Sequence, residues 1–471
     1  MSLFKSRGCY HLNGINDTKH LTSEKDVLTL PNEYAAKVYV PIVDPGKGLP
    51  ITLSAKVGDH VLAGSLIGTR MMFGNVVNVY SPVSGTIVGE ENLFHGGLGR
   101  PTKHFAIEND FKYECVKVCE PFSVESDPEV IIDAMQKLGC VGLGGAGFPT
   151  FIKYKNVSDI DTIVINGVEC EPFLTTDYKA MIENAELLLM GTSMMVKAAG
   201  ASKALICFKK NKVAIKEALL PLLGSKYPNI EIKLVPDVYP MGWERLLVKT
   251  ATKRTYDKLP SEAHIIINNA QTAIELAKSS KTGFITTHKQ ITVSGGAIKE
   301  NANVIVPIGT KVSEIVKFMG GYTKDEGVVL LGGPMCSKGL MNDNVAITTN
   351  VNGLTILEKV VRAAQPCLRC GACSDHCPAN IQPVEVKIAY QAKNIQRMME
   401  LSPTSCIGCG LCSFICPSHI EVNDFVKKAK MLVTIEQGKI AAQQKAKVAA
   451  EAAAKKAAEE QAKPEVVEGG K

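Results

Sequence analysis

Eight of the fifteen cysteines fall into two copies of one spacing late in the chain. Residues 367–377 read CLRCGACSDHC and residues 406–416 read CIGCGLCSFIC, and a proline follows each copy. Three cysteines spaced two residues apart let one loop wrap a cuboidal iron–sulfur cluster, while the fourth thiolate comes from further away. Glycines at positions 371, 408 and 410 let the backbone approach such a cluster closely. The spacing therefore predicts electron-transfer chemistry. No residue of the chain is assigned as a catalytic acid or base.

In two-cluster ferredoxins of this spacing, the fourth cysteine of each motif serves the other cluster. The likeness assigns one [4Fe-4S] cluster to Cys367, Cys370, Cys373 and Cys416 and the second to Cys377, Cys406, Cys409 and Cys412. The alternative is a pair of zinc sites, although structural zinc usually takes two separated CxxC or CxxC/HxxxH pairs. The remaining cysteines show no comparable spacing and are predicted to be small buried hydrophobic residues: Cys9, Cys115, Cys119, Cys140, Cys170, Cys207 and Cys336.

A glycine-rich stretch, GLGGAGFPT at residues 142–150, formally satisfies GxGxxG at Gly142, Gly144 and Gly147. The segment before it reads as a helix rather than a strand, so the ordinary dinucleotide-binding turn is rejected. A backbone this bare still lets a phosphate or a flat ring lie against its amides. A tight structural loop is the alternative.

Polar residues follow a predicted strand in INGVECEPFLTTD, residues 165–177. The stretch clusters Asn166, Glu169, Glu171 and Asp177 at the carboxyl edge, where α/β sheets place ligands. These acidic residues could contact ribose hydroxyls or cap the following helix, and spacing leaves both readings open. A similar ambiguity attends three further residues: Glu244 in YPMGWERLL, and Asn268 and Asn269 in IIINNAQTA.

The elements that position these residues indicate a multidomain α/β protein. Residues 27–110 read as short antiparallel strands and resemble the lipoyl- and biotinyl-type barrel-sandwich modules. Where those modules carry a modified lysine, this chain has Arg70, Met71, Met72 and Phe73, so a swinging cofactor is not expected. From about residue 128 the runs TIVIN, KALICF, IEIKLV and HIIIN alternate with helical segments, which predicts a parallel sheet covered by helices.

Composition places the chain among ordinary globular proteins. It has 471 residues, 45% hydrophobic and 21% charged, with a formal net charge of +6. No apolar run approaches the roughly 18–20 residues of a membrane span, and the N-terminus does not resemble a secretory signal. No basic stripe interleaved with aromatic residues indicates nucleic-acid binding. We expect a chain that stays in the cytosol.

A family resemblance joins these motifs. GLGGAGFPT, NGVECEP, YPMGWE and IIINNAQT occur in the order and with the approximate spacing of the FMN- and NADH-binding segments of the flavin-bearing subunit of respiratory complex I. A barrel-sandwich region precedes them, and a segment that looks like a β-grasp module, LLGGPM and the double cysteine motif follow. Over about residues 25–432 this order resembles the RnfC proteins of Rnf electron transport complexes.

The resemblance implies a role for individual residues. It implies FMN contacts from Gly142, Gly144, Gly145, Gly147, Lys153, Asn166, Asn268 and Asn269. It places the nicotinamide dinucleotide near Phe148, Glu169, Glu171 and Glu244. The chain departs from the complex I pattern at Val168, Cys170 and Trp243.

Changes of pattern along the chain also predict domain limits. The expected segments are an N-terminal domain with the barrel-sandwich (1–126), a Rossmann-like FMN/NADH domain (127–288), a β-grasp module (289–355), an α-helical ferredoxin-like domain with two [4Fe-4S] clusters (356–435), and a solvated Ala/Lys/Glu-rich tail (436–471).

The activity implied is that of an NADH/ferredoxin oxidoreductase (translocase) subunit. FMN would pass electrons between NAD(H) and ferredoxin-derived iron–sulfur clusters, and partner subunits would couple this flow to ion transport. The expected partners are the other Rnf subunits, including integral membrane proteins and an iron–sulfur subunit, with ferredoxin reached indirectly. The chain would then lie peripherally on the cytoplasmic side of the bacterial inner membrane. The alternatives are a soluble flavin and iron–sulfur cobalamin reductase and a cluster-only relay without flavin.

Overall fold

The computed structural model describes residues 9–10, 16–44, 48–95, 99–145, 147–155, 157–324, 327–337 and 339–461. The chain divides into two compact units, one from Cys9 to Val361 and one that contains the chain from Arg362 onward. Within the described residues, no helix combines the length and the hydropathy needed to cross a membrane.

Short strands dominate the first part of the Cys9–Val361 unit. They are β1 (Leu28–Thr29), β2 (Lys37–Pro41), β3 (Thr52–Leu53), β4 (His60–Val61), β5 (Leu66–Met72), β6 (Asn75–Tyr80), β7 (Gly85–His95) and β8 (Arg100–Asn109), after a short helix α1 (His20–Ser23). Antiparallel pairing gives a four-stranded sheet, β2-β8-β7-β4, and a three-stranded sheet, β3-β5-β6. Ile67, Ile87 and Ile107 from both sheets are fully buried in one core, as the inward faces of a sandwich require.

Helices and parallel strands alternate in the second part. The elements are α2 (Pro128–Lys137), β9 (Thr162–Asn166), α3 (Thr176–Glu183), α4 (Ala185–Ala199), β10 (Lys203–Lys209), α5 (Val213–Leu219), β11 (Ile230–Val235), α6 (Glu244–Thr252), β12 (Ile265–Asn269) and α7 (Ala270–Thr282). The sheet order is β11-β10-β9-β12, and all its pairs are parallel. Ile163, Val164 and Ile165 are fully buried, because helices cover both faces of a parallel sheet. The predicted parallel sheet is confirmed.

Helices α4 and α7 pack against each other at very short range. A Cβ added at Gly191 of α4 would collide with the carbonyl oxygen of Ala273 in α7. Glycine is therefore required at this crossing because any side chain would push the two helices apart.

A mixed sheet closes the Cys9–Val361 unit. It contains β13 (His288–Ser294), β14 (Ala302–Pro307), β15 (Gly327–Leu331) and β16 (Gly353–Glu358), with α8 (Val312–Phe318) between β14 and β15. The order is β1-β14-β13-β16-β15. The pairs β13–β14 and β15–β16 are antiparallel, and the pairs β1–β14 and β13–β16 are parallel. Val304, Ile315 and Ile356 are fully buried between the sheet and α8.

Strand β1 departs from the sequence prediction. Residues 27–110 were expected to pair as antiparallel strands, and this is correct for β2 to β8 but wrong for β1. Leu28 and Thr29 pair in parallel with Val304 and Ile305 of β14. A two-residue strand carries too little pattern to reveal its partner, so distant packing decides where it adds to a sheet.

The unit that begins at Arg362 is helical. It contains α9 (Ala372–Asp375), α10 (Pro383–Gln391), α11 (Ile395–Glu400), α12 (Leu411–Phe414) and α13 (Val422–Gln461). Val386 of α10 and Val426 and Val433 of α13 are fully buried in its core. The predicted limit at residue 436 lies inside α13, and the side chains of residues 441–454 are exposed. The tail thus continues a packed helix.

The prediction that the cysteines outside the motifs are buried is wrong for two of them. Cys115 and Cys336 are exposed, and Cys207 is buried on β10. Cys115 lies in the chain that follows β8, and Cys336 lies in the loop after β15. Connecting segments run over the surface, so a cysteine within them lacks the burial that a strand supplies.

Candidate functional site

The parallel sheet changes direction of growth between β9 and β12. From β9 the chain adds β10 and then β11 on one side, and it returns to place β12 on the other side. Such a switch point opens a crevice at the carboxyl ends of the strands, where α/β proteins bind ligands. Asn166 ends β9, Asn269 ends β12, and the two residues are paired in register. The sequence-predicted asparagines therefore lie at the crevice.

The amide of Asn166 organises the chain around the crevice. Its Nδ2 donates to the carbonyl oxygen of Gly242 at 2.8 Å, and its Oδ1 accepts from the amide of Val168 at 3.0 Å. The first bond ties the YPMGWE segment to the end of β9. The second shapes the turn that leads to Glu169.

The two asparagines of β12 point to different partners. Asn269 caps α7 by accepting from the amide of Gln271 at 2.9 Å, and its Nδ2 donates to Asp177 at 2.9 Å. Asn268 is buried, and its Nδ2 donates to the hydroxyl of Tyr154 at 2.6 Å. Asn269 thus lies at the edge of the crevice, while Asn268 braces the wall behind it.

The glycine-rich loop lies directly against Asn269. A Cβ added at Gly144 would collide with the Asn269 amide, so the loop approaches the strand end with bare backbone. A Cβ added at Gly145 would meet no atom of the described residues within 4 Å. The loop is closed on itself by a 2.8 Å bond from the amide of Gly142 to the carbonyl oxygen of Phe148. One face of the loop is therefore held by the protein and the other is open.

Two lysines donate hydrogen bonds to the backbone of strand β12 and of the glycine-rich loop. The Nζ of Lys153 donates to the carbonyl oxygen of Ile267 on β12 at 2.6 Å. Burial lowers the pKa of Lys153, and the charge of nearby Glu244 opposes that effect. Lys289 of β13 donates to the carbonyl oxygen of Leu143 at 2.7 Å, and burial lowers its pKa to about 8. Both cations bind backbone carbonyl oxygens, so they hold strand β12 and the glycine-rich loop in place.

Glu169 is a buried carboxylate with one oxygen unused. Its Oε1 accepts from the amide of Asp177 at 3.2 Å. No donor among the described residues makes a hydrogen bond to its Oε2, although the Nζ of Lys19 lies 3.9 Å away. Burial raises the pKa of Glu169, and the positive charge of Lys19 opposes the rise. A buried acceptor of this kind can accept a hydrogen bond from a hydroxyl group of a ligand.

Glu171 has a different role from its neighbour. Its carboxylate accepts from the backbone amides of Met335 at 3.0 Å and Cys336 at 2.9 Å. It therefore anchors the loop after β15, and a Cβ at Gly333 of this loop would collide with the Glu171 side chain. Both oxygens are occupied by the protein.

An aromatic contact lies at the outer end of the glycine-rich loop. The ring of Phe148 is 5.5 Å from the ring of Phe73, with an angle of 39° between them. Phe73 lies in the turn between β5 and β6. The barrel-sandwich region thus reaches the loop through a single hairpin.

Cysteines of both motifs meet around one cavity in the unit that begins at Arg362. Four thiols line it: Cys377, Cys406, Cys409 and Cys412. Its remaining wall is largely apolar and includes Ile381 and Val426. Burial raises the pKa of the Cys412 thiol, and the neighbouring thiols add to the rise because they repel a second thiolate. Four thiolates around one cavity would suit a cationic iron–sulfur core, whose positive charge they would balance.

The two motifs repeat the same backbone geometry. Gly371 and Gly410 have φ of 77° and 75°, and α9 and α12 begin at the next residue. The amide of Gly408 donates to the sulfur of Cys406 at 3.3 Å, and that of Arg369 donates to Cys367 at 3.4 Å. Such N–H···S bonds stabilise thiolates and tune cluster potentials.

The cysteines of the first predicted set are more open than those of the second. Cys367 and Cys370 are exposed, and Cys373 and Cys416 are half-buried. Among the described residues, no three His, Cys, Asp or Glu side chains converge closely enough to hold a single metal ion.

Three family descriptions match the chain. The RnfC barrel sandwich hybrid domain matches residues 11–112, the Nuo51 FMN-binding domain matches residues 135–278, and the 4Fe-4S dicluster domain matches residues 366–420. The FMN-binding match contains all the predicted flavin and dinucleotide residues. The dicluster match contains all eight motif cysteines.

Relatives of known name extend over most of the chain. The RnfC-type component of the proton-translocating ferredoxin:NAD(+) oxidoreductase complex of Clostridium ljungdahlii is 30% identical over 396 residues, covering 82% of this chain and 85% of the relative. The chain belongs to the RnfC family. The corresponding component of the Na(+)-translocating ferredoxin:NAD(+) oxidoreductase complex of Acetobacterium woodii is 31% identical over 74% of this chain and 80% of its own length. A cobalamin reductase, PduS of Citrobacter freundii, is 31% identical over 54% of this chain and 59% of the relative.

As a member of the RnfC family, the chain is an electron-transfer subunit and an oxidoreductase with an FMN-binding domain and a 4Fe-4S dicluster domain. The family recognised from the order of GLGGAGFPT, NGVECEP, YPMGWE and IIINNAQT is confirmed. The coarse fold is confirmed as well, as mixed α/β with a barrel-sandwich region.

Sequence reasoning missed three polar side chains that support the site. Lys19 donates to the carbonyl oxygen of Glu169 at 2.8 Å, Lys289 holds the glycine-rich loop, and Gln271 donates to Asp177 at 2.6 Å. Lys19 and Lys289 come from other regions of the chain, and their local patterns carry no sign of this role. Gln271 follows the NN pair closely, and its place in the first turn of a helix at a strand end could have indicated it.

Proposed function

We propose that the chain exchanges electrons between NAD(H) and two [4Fe-4S] clusters through FMN, as the NAD(H)-reacting subunit of a membrane Rnf complex. The observation that carries the proposal is the meeting of the glycine-rich loop with Asn269 at the switch point of the parallel sheet. Bound FMN would supply the conversion between the electron pair of a hydride and the single electrons that clusters accept.

The residues around the crevice fit a flavin phosphate and ring. A Cβ at Gly145 would meet open space, although the Gly145 carbonyl oxygen accepts from Asn350, and Asn166 and Asn269 lie at the rim. Lys153 adds positive charge, which favours an anionic ligand. Gly142, Gly144, Gly147 and Asn268 would shape this seat from the loop and from behind the strand.

Buried polar and aromatic groups support a dinucleotide next to the flavin. The unused Oε2 of Glu169 fits a ribose hydroxyl, and the half-exposed ring of Phe148 fits a flat base. Glu244 is close enough to influence the pKa of Lys153 and would bound the same space. Glu171 would act through the loop that it anchors, since its oxygens accept from that loop.

The shared cavity supports crossed ligation of two clusters. It brings Cys377 of the first motif together with three cysteines of the second, which is the second set assigned from the ferredoxin likeness. Cys367, Cys370, Cys373 and Cys416 would hold the other cluster. The exposure of Cys367 and Cys370 suits exchange of electrons with a partner protein, because electron transfer needs close approach.

The names of the relatives support an assembly. Those of Clostridium ljungdahlii and Acetobacterium woodii are named as subunits of ion-translocating ferredoxin:NAD(+) oxidoreductase complexes. We infer peripheral attachment on the cytoplasmic side of the membrane, with integral membrane subunits and an iron–sulfur subunit as partners, ferredoxin as indirect donor, and ion transport by the partners. The order β14-β13-β16-β15 with one helix supports a β-grasp module at about the expected 289–355, with strands that run from His288 to Glu358.

The likeness to cobalamin reductase favours one other candidate, a soluble flavin and iron–sulfur reductase. Affinity purification of the tagged chain from gently solubilised membranes separates the two candidates. Recovery of integral membrane proteins in fixed proportion supports the Rnf assignment, and recovery of the chain alone from the soluble fraction favours the reductase.

The central test is anaerobic purification with iron, sulfide and flavin quantitation, and absorbance spectra before and after NADH. We expect about eight irons, one non-covalent FMN and bleaching of the visible bands by NADH. About eight irons without flavin, and no response to NADH after FMN is supplied, would leave the cluster-only relay and remove the nucleotide assignments.

A further inference from the structure

The turn of the β5–β6 hairpin places a bulky aromatic residue where bulky residues are strained. Phe73 has φ of 49° and Gly74 has φ of 75°, as in a two-residue type I′ turn. Asn, Asp and Gly are the usual residues at such positions, and a large side chain at positive φ is a rare exception. Strained residues of this kind cluster at ligand clamps and active sites.

Contacts of the Phe73 ring with the rest of the protein compensate little for this backbone strain. It is 72% exposed. Its ring contact is with Phe148, which is itself half-exposed at the outer end of the glycine-rich loop. Two neighbouring rings, one largely exposed and the other half-exposed, offer a stacking surface for a third flat group.

The hairpin is fixed to the loop through helix α2. The hydroxyl of Tyr80 donates to the carbonyl oxygen of Lys137 at 2.5 Å, and Gln136 donates to that of Val76 at 3.2 Å. Helix α2 ends just before the glycine-rich loop begins. The position of the turn relative to the loop is therefore set by packed elements on both sides.

We propose that Phe73 is a positioning residue for the pyridine dinucleotide, which stacks a heteroaromatic ring on the pair formed by Phe73 and Phe148. The inference rests on the proposed function. It adds the barrel-sandwich region to the substrate site, at the hairpin tip that carries no lysine for a covalent cofactor. The flavin is expected on the open face of Gly145, so the outer aromatic pair serves the dinucleotide.

The test is Phe73→Asn in the full-length, cofactor-loaded chain, assayed as NADH oxidation with ferricyanide as acceptor. Asn-Gly is the preferred type I′ pair, so the thermal midpoint is expected to hold or rise. The KM for NADH is expected to rise about 3- to 10-fold, the loss typical of one aromatic contact. Phe73→Tyr keeps the ring and should restore the wild-type KM. A purely structural role predicts a lower midpoint and an unchanged KM.

The matched control is Tyr113→Asn. Tyr113 is also an exposed aromatic residue at positive φ, 58°, and its hydroxyl bonds to Asn32. The KM of the Tyr113→Asn variant for NADH should equal that of the wild type. Inhibition by ADP-ribose reports on contact with the adenine ring, and turnover of reduced nicotinamide mononucleotide reports on contact with the nicotinamide ring. Weakening of either in Phe73→Asn supports the proposal and shows which ring stacks.

Three results would overturn the inference. The first is an unchanged KM for NADH in Phe73→Asn, and the second is an equal rise in Tyr113→Asn. The third is a wild-type chain that holds FMN but does not respond to NADH, which removes the proposed function as well. The wild-type chain is therefore measured first, so that failure of the function and failure of the Phe73 role are distinguished.

Discussion

Bare backbone at Gly144 and Gly145 does two different things within one loop. Gly144 allows contact with Asn269, while Gly145 faces space that the described protein leaves open. The first glycine is required by the fold of the apoprotein. The second is required only if something else occupies the space.

Gly145→Ala separates these two requirements. The added methyl group meets no described atom, so the thermal midpoint of the flavin-free chain should stay within about 2 °C of the wild type. The affinity for FMN should fall at least about tenfold, since the methyl group enters the proposed flavin seat. Fluorescence titration of the flavin-free chain with FMN gives the affinity. Gly144→Ala is the comparison and should lower both quantities, while unchanged FMN affinity in Gly145→Ala would place the flavin elsewhere.

Lys289 gives stability a predictable dependence on pH. Its pKa is lowered to about 8 by burial, from the ordinary lysine value of 10.5. Between these two values the unfolded chain binds more protons than the folded chain, so stability rises with pH. Lys289→Met should remove up to about 3 kcal/mol of that rise between pH 8 and 10.5.

Urea unfolding at about pH 7.5, 9 and 10 measures the effect. Lys278→Met serves as the control because Lys278 is an exposed lysine of helix α7. A pH slope in Lys289→Met as steep as that of the wild type would contradict the assignment.

At the scale of elements, the packing of helix α4 on helix α7 and the end of strand β12 position the residues of the site. The contact of α4 with α7 fixes the helix that begins at Asn269, and so links a buried crossing to the rim of the crevice. A change far from any ligand can therefore move a site residue.

Gly191→Ala tests this link. Its Cβ would strike the carbonyl oxygen of Ala273, so the helices must separate, and we expect a loss of about 2–4 kcal/mol in the free energy of unfolding. Denaturant unfolding of the purified chain measures it. Gly438→Ala in α13 is the matched control, where the methyl group meets open space and should stabilise by about 0.5–1 kcal/mol. Equal effects in the two variants would show that the crossing tolerates a side chain.

The sequence allows prediction of elements whose pattern is long and local. The runs TIVIN, KALICF and HIIIN were predictable as strands because their buried apolar residues are contiguous, and IEIKLV because its apolar and charged residues alternate. The position of Lys19 against Glu169, the pairing of β1 with β14 and the exposure of Cys336 were not. The first two depend on contacts between residues far apart in the chain, which composition and spacing do not encode, and the third depends on where strand β15 ends.

At the scale of the whole molecule, the proposed crossed ligation would make the two cysteine motifs depend on each other. Cys377 shares its cavity with Cys406, Cys409 and Cys412, although many residues separate it from them. Crossed ligation makes the second motif necessary for a cluster that the first motif mostly holds, and the reverse.

Iron content of double variants distinguishes crossed from separate ligation. Cys377→Ser with Cys412→Ser should keep about four irons, since both residues serve one cluster. Cys373→Ser with Cys377→Ser, both in the first motif, should lose nearly all the iron because it disables both clusters. The opposite pattern would show that each motif holds its own cluster.

Residues near the start of the chain complete structures that form near its middle and later. The amide of Asn303 donates to the carbonyl oxygen of Thr22, Lys25 donates to that of Asn301, and Lys19 pairs with Glu169. During synthesis on the ribosome, strand β1 therefore cannot pair with β14 until about three hundred residues have been added. Contacts of such sequence separation slow folding. The crevice beside Glu169 is thus finished late in synthesis, and under the proposed function FMN would load only after most of the chain has emerged.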